Sequence, residues 1–182
     1  MNIAIIFAGG SGVRMGAGMP KQFLEINGKP IIIHTLDNFQ NSPSIDKIYI
    51  SCKKDYITTL QDLTKRFAIT KVCGIVEGGS NGQDSIYRAL RAADAENDKD
   101  AIVLIHDGVR PFVSEEVIQK NIECVKQHGS AVTCTSFFET PILSKGGEEV
   151  EEMPLKKEMF TNGLLMGVGN VCSAGTTELL LR

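Results

Sequence analysis

The chain has 182 residues, of which 42% are hydrophobic and 23% charged, so it is long enough to bury one core and reads as a single domain over residues 1–182. Its formal net charge of −3 and pI near 5.6 exclude a general attraction to nucleic acid or to an anionic membrane, and any phosphate must be held by local cations. Its five cysteines, Cys52, Cys73, Cys124, Cys134 and Cys172, are odd in number and form no C-x-x-C, which argues against a disulfide framework or a zinc site and fits free thiols in a reducing cytoplasm.

Met1-Asn2 lacks a basic n-region, and the apolar run Ile3–Phe7 that follows is too short for a signal peptide or a membrane span. The expectation is a soluble cytoplasmic protein. That run reads as a strand, and it passes directly into Ala8-Gly9-Gly10-Ser11-Gly12-Val13-Arg14-Met15, with Pro20-Lys21-Gln22-Phe23 close behind. Glycines let backbone N–H groups crowd an anion with no Cβ in the way, and Arg14 and Lys21 bring fixed positive charge to the same place. A nucleoside triphosphate suits such a loop. Two other glycine motifs are excluded. A P-loop needs Gly-Lys-Ser/Thr, whereas Gly12 is followed by Val13-Arg14. A dinucleotide fingerprint needs a third glycine where Met15 stands, and Pro20 interrupts the helix that should follow. The plain alternative is a solvated turn between strand and helix.

Further along, helices are expected near Ile31–Phe39, Asp55–Phe67, Asp84–Ala95 and Glu115–His128, the last opened by Ser114 as N-cap with two acids in its first turn. Strands are expected at Lys47–Ser51, Lys71–Val76, Ala101–His106 and Ala131–Thr135. This alternation implies βαβ units and an α/β fold: three layers, α/β/α, around a mainly parallel, Rossmann-like sheet. Ligands in such sheets lie beyond the carboxyl ends of the strands. The glycine loop, Gly78-Gly79-Ser80 and His106-Asp107 all follow strands and converge on that edge. Asp107 there offers a hard oxygen ligand suited to Mg²⁺. In nucleotidyl transfer, Arg14 and Lys21 would stabilise charge building on the α-phosphate and the departing pyrophosphate. The plain reading of Asp107 is a cap on the next turn, paired with Arg110. His106 reads as a packed, hydrogen-bonded residue with no catalytic role.

Phe7 to Met15, Met19-Pro20-Lys21-Gln22-Phe23, Gly28-Lys29-Pro30, Gly78-Gly79 with Asp84-Ser85, and Ile105-His106-Asp107-Gly108-Val109-Arg110-Pro111 together resemble the 2-C-methyl-D-erythritol 4-phosphate cytidylyltransferase family, whose relatives include ribitol-5-phosphate cytidylyltransferases. The resemblance covers roughly residues 1 to 140. It implies a fold of the nucleotide-diphospho-sugar transferase type. Triphosphate contacts fall on Ala8, Gly9, Gly10 and Gly12, catalytic roles on Arg14 and Lys21, and cytosine recognition on Gly78, Gly79, Ser80 and Ser85. Asp107 becomes the metal ligand and, with Arg110, Thr140 and Lys157, faces the acceptor; Lys156 is the alternative to Lys157. Ser80 and Gly82 depart from the family's usual acid and arginine, and Gly108 from its usual Ala or Ser.

The activity so implied is transfer of CMP from CTP, with Mg²⁺, to a polyol phosphate: 2-C-methyl-D-erythritol 4-phosphate, in isoprenoid precursor synthesis, or alternatively D-ribitol 5-phosphate, toward which Phe112 and Met19-Pro20 lean. The partners implied are these small molecules and a second copy of the chain, joined as a homodimer through an arm at about residues 140 to 160. The family's Gln-Thr-Pro-Gln-like motif has no counterpart in Thr161-Asn162-Gly163-Leu164-Leu165-Met166-Gly167-Val168. Residues 163–182 are therefore expected to be an atypical or truncated end that packs imperfectly, and a nucleotide-binding remnant without turnover stands as the reading from a different class.

Overall fold

The computed structural model describes residues 1–9, 19–97, 100–136 and 160–169, with the backbone alone for 135–136 and 160–169. Gly10, Gly12, Arg14, Thr140, Lys156 and Lys157 lie outside the described residues, as do residues 170–182.

Six strands, β1 (Asn2–Ala8), β4 (Lys47–Cys52), β5 (Val72–Glu77), β6 (Ile102–Asp107), β7 (Ser130–Ser136) and β8 (Phe160–Gly169), form one sheet in the order β5-β4-β1-β6-β8-β7. A short hairpin, β2 (Glu25–Ile26) and β3 (Lys29–Pro30), turns at Asn27-Gly28, both at positive φ, and leads into helix α1 (Ile31–Asn41). Helices α2 (Ile57–Arg66), α3 (Gly82–Glu96) and α4 (Glu115–His128) follow.

β1 is the central strand, paired in parallel with β4 on one side and β6 on the other. Covered on both faces, it needs an unbroken apolar run rather than alternation, and Ile3, Ala4, Ile5 and Ile6 are all essentially inaccessible. The period-2 alternation of side chains sorts the core into two halves. Ala4, Ile6, Ile48, Ile50 and Leu104 pack against Ile32, Ile33, Leu36 and Phe39 of α1, Leu60 of α2, and Ile118 and Ile122 of α4. Ile3, Ile5, Tyr49, Val103 and Ile105 pack against Ile86, Ala89, Leu90 and Ala93 of α3 on the opposite face. The fold is thus the expected three-layer α/β/α arrangement around a mainly parallel sheet. In α4, Ser114 caps the amino end by accepting from Val117 N, Glu115 and Glu116 occupy the first turn, and Gly129 closes the other end at φ +83°.

Two differences from expectation are informative. The segment expected as one helix over Asp55–Phe67 begins as a 3₁₀ turn, Lys54–Tyr56, before α2 takes over. The second concerns the end of the chain. Residues 163–169, expected to belong to a poorly packing tail, lie in β8, antiparallel to β6 (Ile105↔Met166) and to β7 (Ala131↔Gly167). Gly163, Gly167 and Gly169 break any alternation in this stretch and lower its intrinsic strand preference; its place comes from partners on both sides.

Gly108, directly after β6, sits where a Cβ would meet Ala8 Cβ and Ile32 Cδ1 at 3.2 Å and Ile6 Cγ2 at 3.3 Å. The departure from Ala or Ser at this position therefore matches a tight junction between β1, α1 and the β6 turn. Gly108→Ala should destabilise the protein by about 1–2 kcal/mol through overpacking, read as a lower urea midpoint at constant m-value.

Candidate functional site

Parallel pairing in register brings the carboxyl ends of β1, β4 and β6 to one level: Ala8 stands beside Cys52 and Phe7 beside Asp107. The backbone keeps this edge closed past the strands, with Gly78 N donating to Cys52 O at 2.7 Å and Gly108 N to Phe7 O at 3.0 Å. Above the edge lies a cavity of about 520 Å³. Eight residues assigned to the site from sequence line it: Ala8, Gly9, Lys21, Gly78, Gly79, Ser80, Ser85 and Asp107.

The loop from Gly78 to Asn81 is shaped by α3. Ser85, buried in the first turn of that helix, donates through Oγ to Asn81 O at 2.8 Å and accepts from Gly79 N at 3.0 Å. Its donor is committed to the loop, which the hydroxyl thereby holds in shape. A Cβ at Gly9 would come within 3.0 Å of the same hydroxyl and one at Gly78 within 3.1 Å, so both glycines serve close approach. Asn81 caps α3 by accepting from Asp84 N at 2.9 Å, and Asp84 Oδ2 accepts from Ser80 N at 3.0 Å. The Ser80 amide, with help from Arg88, holds the Asp84 carboxyl below the usual carboxylate range, so the turn keeps its charged form further into acid than an ordinary aspartate would. The amino end of a long helix thereby opens on the cavity, with its N–H groups and dipole favourable to anions.

On the other side, Pro20 leads into a 3₁₀ turn, Lys21–Phe23. Gln22, buried, donates through Nε2 to Ala8 O at 2.5 Å, which ties the turn to the end of β1 and leaves Lys21 at the cavity. Lys53, immediately after β4, lines the same cavity. Asp107 is partly exposed; its Oδ1 accepts from Val109 N at 3.2 Å, and Arg110 Nε lies 3.4 Å from Oδ2. The turn-capping reading of Asp107 and its access to the cavity are both realised. Arg110 itself is exposed and, although paired with Asp107, is not among the residues lining this cavity. His106 is buried, its Nε2 2.9 Å from Arg110 O and its ring 5.1 Å from that of Phe39, in keeping with a packing role. Beneath the edge, burial pushes the Cys52 thiol up to about 11; it is an inert core group.

Sequence reasoning missed Gln22, Lys53 and Asn81. The strand-end rule that singled out Asp107 applies equally to Lys53, one residue beyond β4, and the Asn81-x-x-Asp84 spacing is a helix-start signature.

Gly9, the Gly78–Asn81 loop, a helix amino end, two lysines and one carboxylate, gathered at the carboxyl edge of a parallel sheet, define a nucleotide-binding α/β transferase. The family model for 2-C-methyl-D-erythritol 4-phosphate cytidylyltransferase (IspD) matches residues 2–142. A ribitol-5-phosphate cytidylyltransferase of Streptococcus agalactiae is 50% identical over 161 residues, 88% of this chain and 67% of that protein. A 2-C-methyl-D-erythritol 4-phosphate cytidylyltransferase of Clostridium botulinum is 36% identical over 159 residues, 87% of this chain and 68% of that protein. Among solved structures, 4-diphosphocytidyl-2C-methyl-D-erythritol synthase from Anaerococcus prevotii superposes with a TM-score of 0.80 at 26% identity, covering 100% of this chain and 75% of that one. The chain belongs to the 2-C-methyl-D-erythritol 4-phosphate cytidylyltransferase family and is a CTP-dependent nucleotidyltransferase.

A Cβ at Gly79 would overlap the Asp84 side chain, its Cβ included. Gly79→Ala should displace either the loop or Asp84 and weaken CTP binding by about tenfold, measured by calorimetry beside a thermal melt that reports the fold intact.

Proposed function

We propose that this protein transfers CMP from CTP to D-ribitol 5-phosphate, forming CDP-ribitol and releasing pyrophosphate. The observation that carries the choice of acceptor is the 50% identity to a relative named for ribitol 5-phosphate, against 36% to one named for 2-C-methyl-D-erythritol 4-phosphate. The family resemblance put 2-C-methyl-D-erythritol 4-phosphate first, while Phe112 and Met19-Pro20 already leaned toward the ribitol acceptor chosen here. In the reaction a phosphate oxygen of the polyol phosphate attacks the α-phosphorus, the bond from that phosphorus to the bridging oxygen breaks, and pyrophosphate departs with the electron pair. The chain's work is to align these groups and offset their charge. Lys21, held at the cavity by the Gln22 clasp, is the described cation suited to the charge that develops during transfer, and Arg14 is assigned to the same task.

The Asp107 carboxylate fits Mg²⁺ by the chemistry of its surroundings. Its own hydrogen bonds are long, at 3.2 and 3.4 Å, and among the described residues no group of three or more His, Cys, Asp or Glu is placed to hold an ion. One carboxylate plus substrate phosphates is a mode of binding typical of this cation. Bound there, Mg²⁺ would offset negative charge on the phosphates. The reading also includes a homodimer joined through the segment at about residues 140 to 160, with Thr140 and Lys157 toward the acceptor, and action in the cytoplasm. No helix among the described residues is long and apolar enough to cross a membrane.

Pyrophosphate release by the purified protein with CTP and Mg²⁺, each acceptor offered separately, tests this function. Release with D-ribitol 5-phosphate and little with 2-C-methyl-D-erythritol 4-phosphate is expected; the reverse preference would overturn the acceptor, and CTP binding with no release would mark a nucleotide-binding remnant. Lys21→Ala should lower turnover by roughly 100- to 1,000-fold while its melting curve stays that of the wild type. Undiminished turnover would remove Lys21 from the chemistry.

A further inference from the structure

The second lysine of the cavity has no part in the motifs that identify the family, and its surroundings give it one. Lys53 follows β4 and caps a 3₁₀ turn: Tyr56 N donates to Lys53 O at 3.0 Å. The Tyr56 ring stacks on Phe23 with centroids 4.8 Å apart and planes 19° from parallel, and Phe23 closes the turn that Lys21 opens. This aromatic pair therefore staples together the two turns that bear Lys21 and Lys53 and fixes both backbones against the cavity wall. Among the described residues, neither ammonium group has a hydrogen-bond or ion-pair partner. Two like charges brought to one enclosed site repel each other until an anion enters, and an ammonium group, with three donors and no acceptor, complements phosphate oxygens.

We propose that Lys53 binds the triphosphate of CTP beside Lys21, as a second fixed cation held in place by the Phe23–Tyr56 stack. The proposal rests on the CTP-dependent reading of the site. It assigns Lys53 to the phosphates, not to the cytosine ring or the acceptor.

The test is calorimetric titration of wild type, Lys53→Ala and Lys53→Arg, each as the full chain, with CTP and Mg²⁺ and separately with cytidine, alongside a melting curve for each protein. The expected result is a rise of about tenfold in the Kd for CTP in Lys53→Ala, with a shallower dependence on salt. Cytidine affinity and melting temperature should hold at wild-type values, and Lys53→Arg should restore most of the CTP affinity. An unchanged Kd for CTP in Lys53→Ala would overturn the proposal and leave the CTP reading standing, since the wild type binds. An equal loss for CTP and cytidine would also overturn it, by pointing to the base or to the fold. Failure of the wild type to bind CTP at all would overturn both readings together.

Discussion

Hydrogen bonding of β1 to parallel partners on both sides sets the position of every polar group in the cleft. Because the pairing is in register, with Ala8 opposite Cys52 and Phe7 opposite Asp107, the chain leaves the sheet at one level from neighbouring strands. The residues just past each end then meet without any long loop having to fold back. The strength of that arrangement lies away from the cleft, in the buried isoleucines of β1 and β4 and in helices packed on both faces. Each buried isoleucine contributes roughly 1.5–3 kcal/mol, so a cavity floor made of backbone and glycine can be held without large side chains of its own.

Above that floor, the strictest demand falls on space around one hydroxyl. Ser85 Oγ bonds to both the Gly79 amide and the Asn81 carbonyl, while Gly9 and Gly78 pass so close to it that a methyl group at either would press against the oxygen. Loops from β1 and β5 are therefore referenced to the same atom at the start of α3. Opposite, the Gln22 clasp on Ala8 and the Phe23–Tyr56 stack do the same for the two lysine-bearing turns. The cleft is built from short-range contacts that couple backbone segments to one another, and its charged side chains are carried by turns whose geometry those contacts decide.

The parts legible in the sequence were those with strong local signals. Apolar runs gave β1, β4, β5 and β6 to within a residue or so, the Ser114 cap located the start of α4, and strand-end reasoning placed Ala8, Gly9, Gly78, Gly79 and Asp107 on one edge. What was not legible depends on partners remote in sequence. β8 has three glycines and no alternation and is a strand because β6 and β7 flank it. Lys53 lacked a motif around it, and its relation to Lys21 comes from a stacking contact between residues 23 and 56. The Ser85 hydroxyl lines the cavity as expected and in addition ties its own loop together, a contact that no motif announces.

The order of strands has a consequence for how the chain reaches its native state. β7 joins the sheet through β8, and β8 lies between it and β6, although β8 is made last of the three. During synthesis, β6 therefore presents a bare, apolar edge while β7, already made, lacks the neighbour that would hold it. Only when residues 160–169 arrive can they slot in antiparallel and close both gaps at once. Pairing over so long a stretch of chain is slow, and an open edge invites pairing with other copies. The half of the sheet that bears the nucleotide floor can assemble early from local βαβ units, while the far edge waits on the insertion of a single glycine-rich strand.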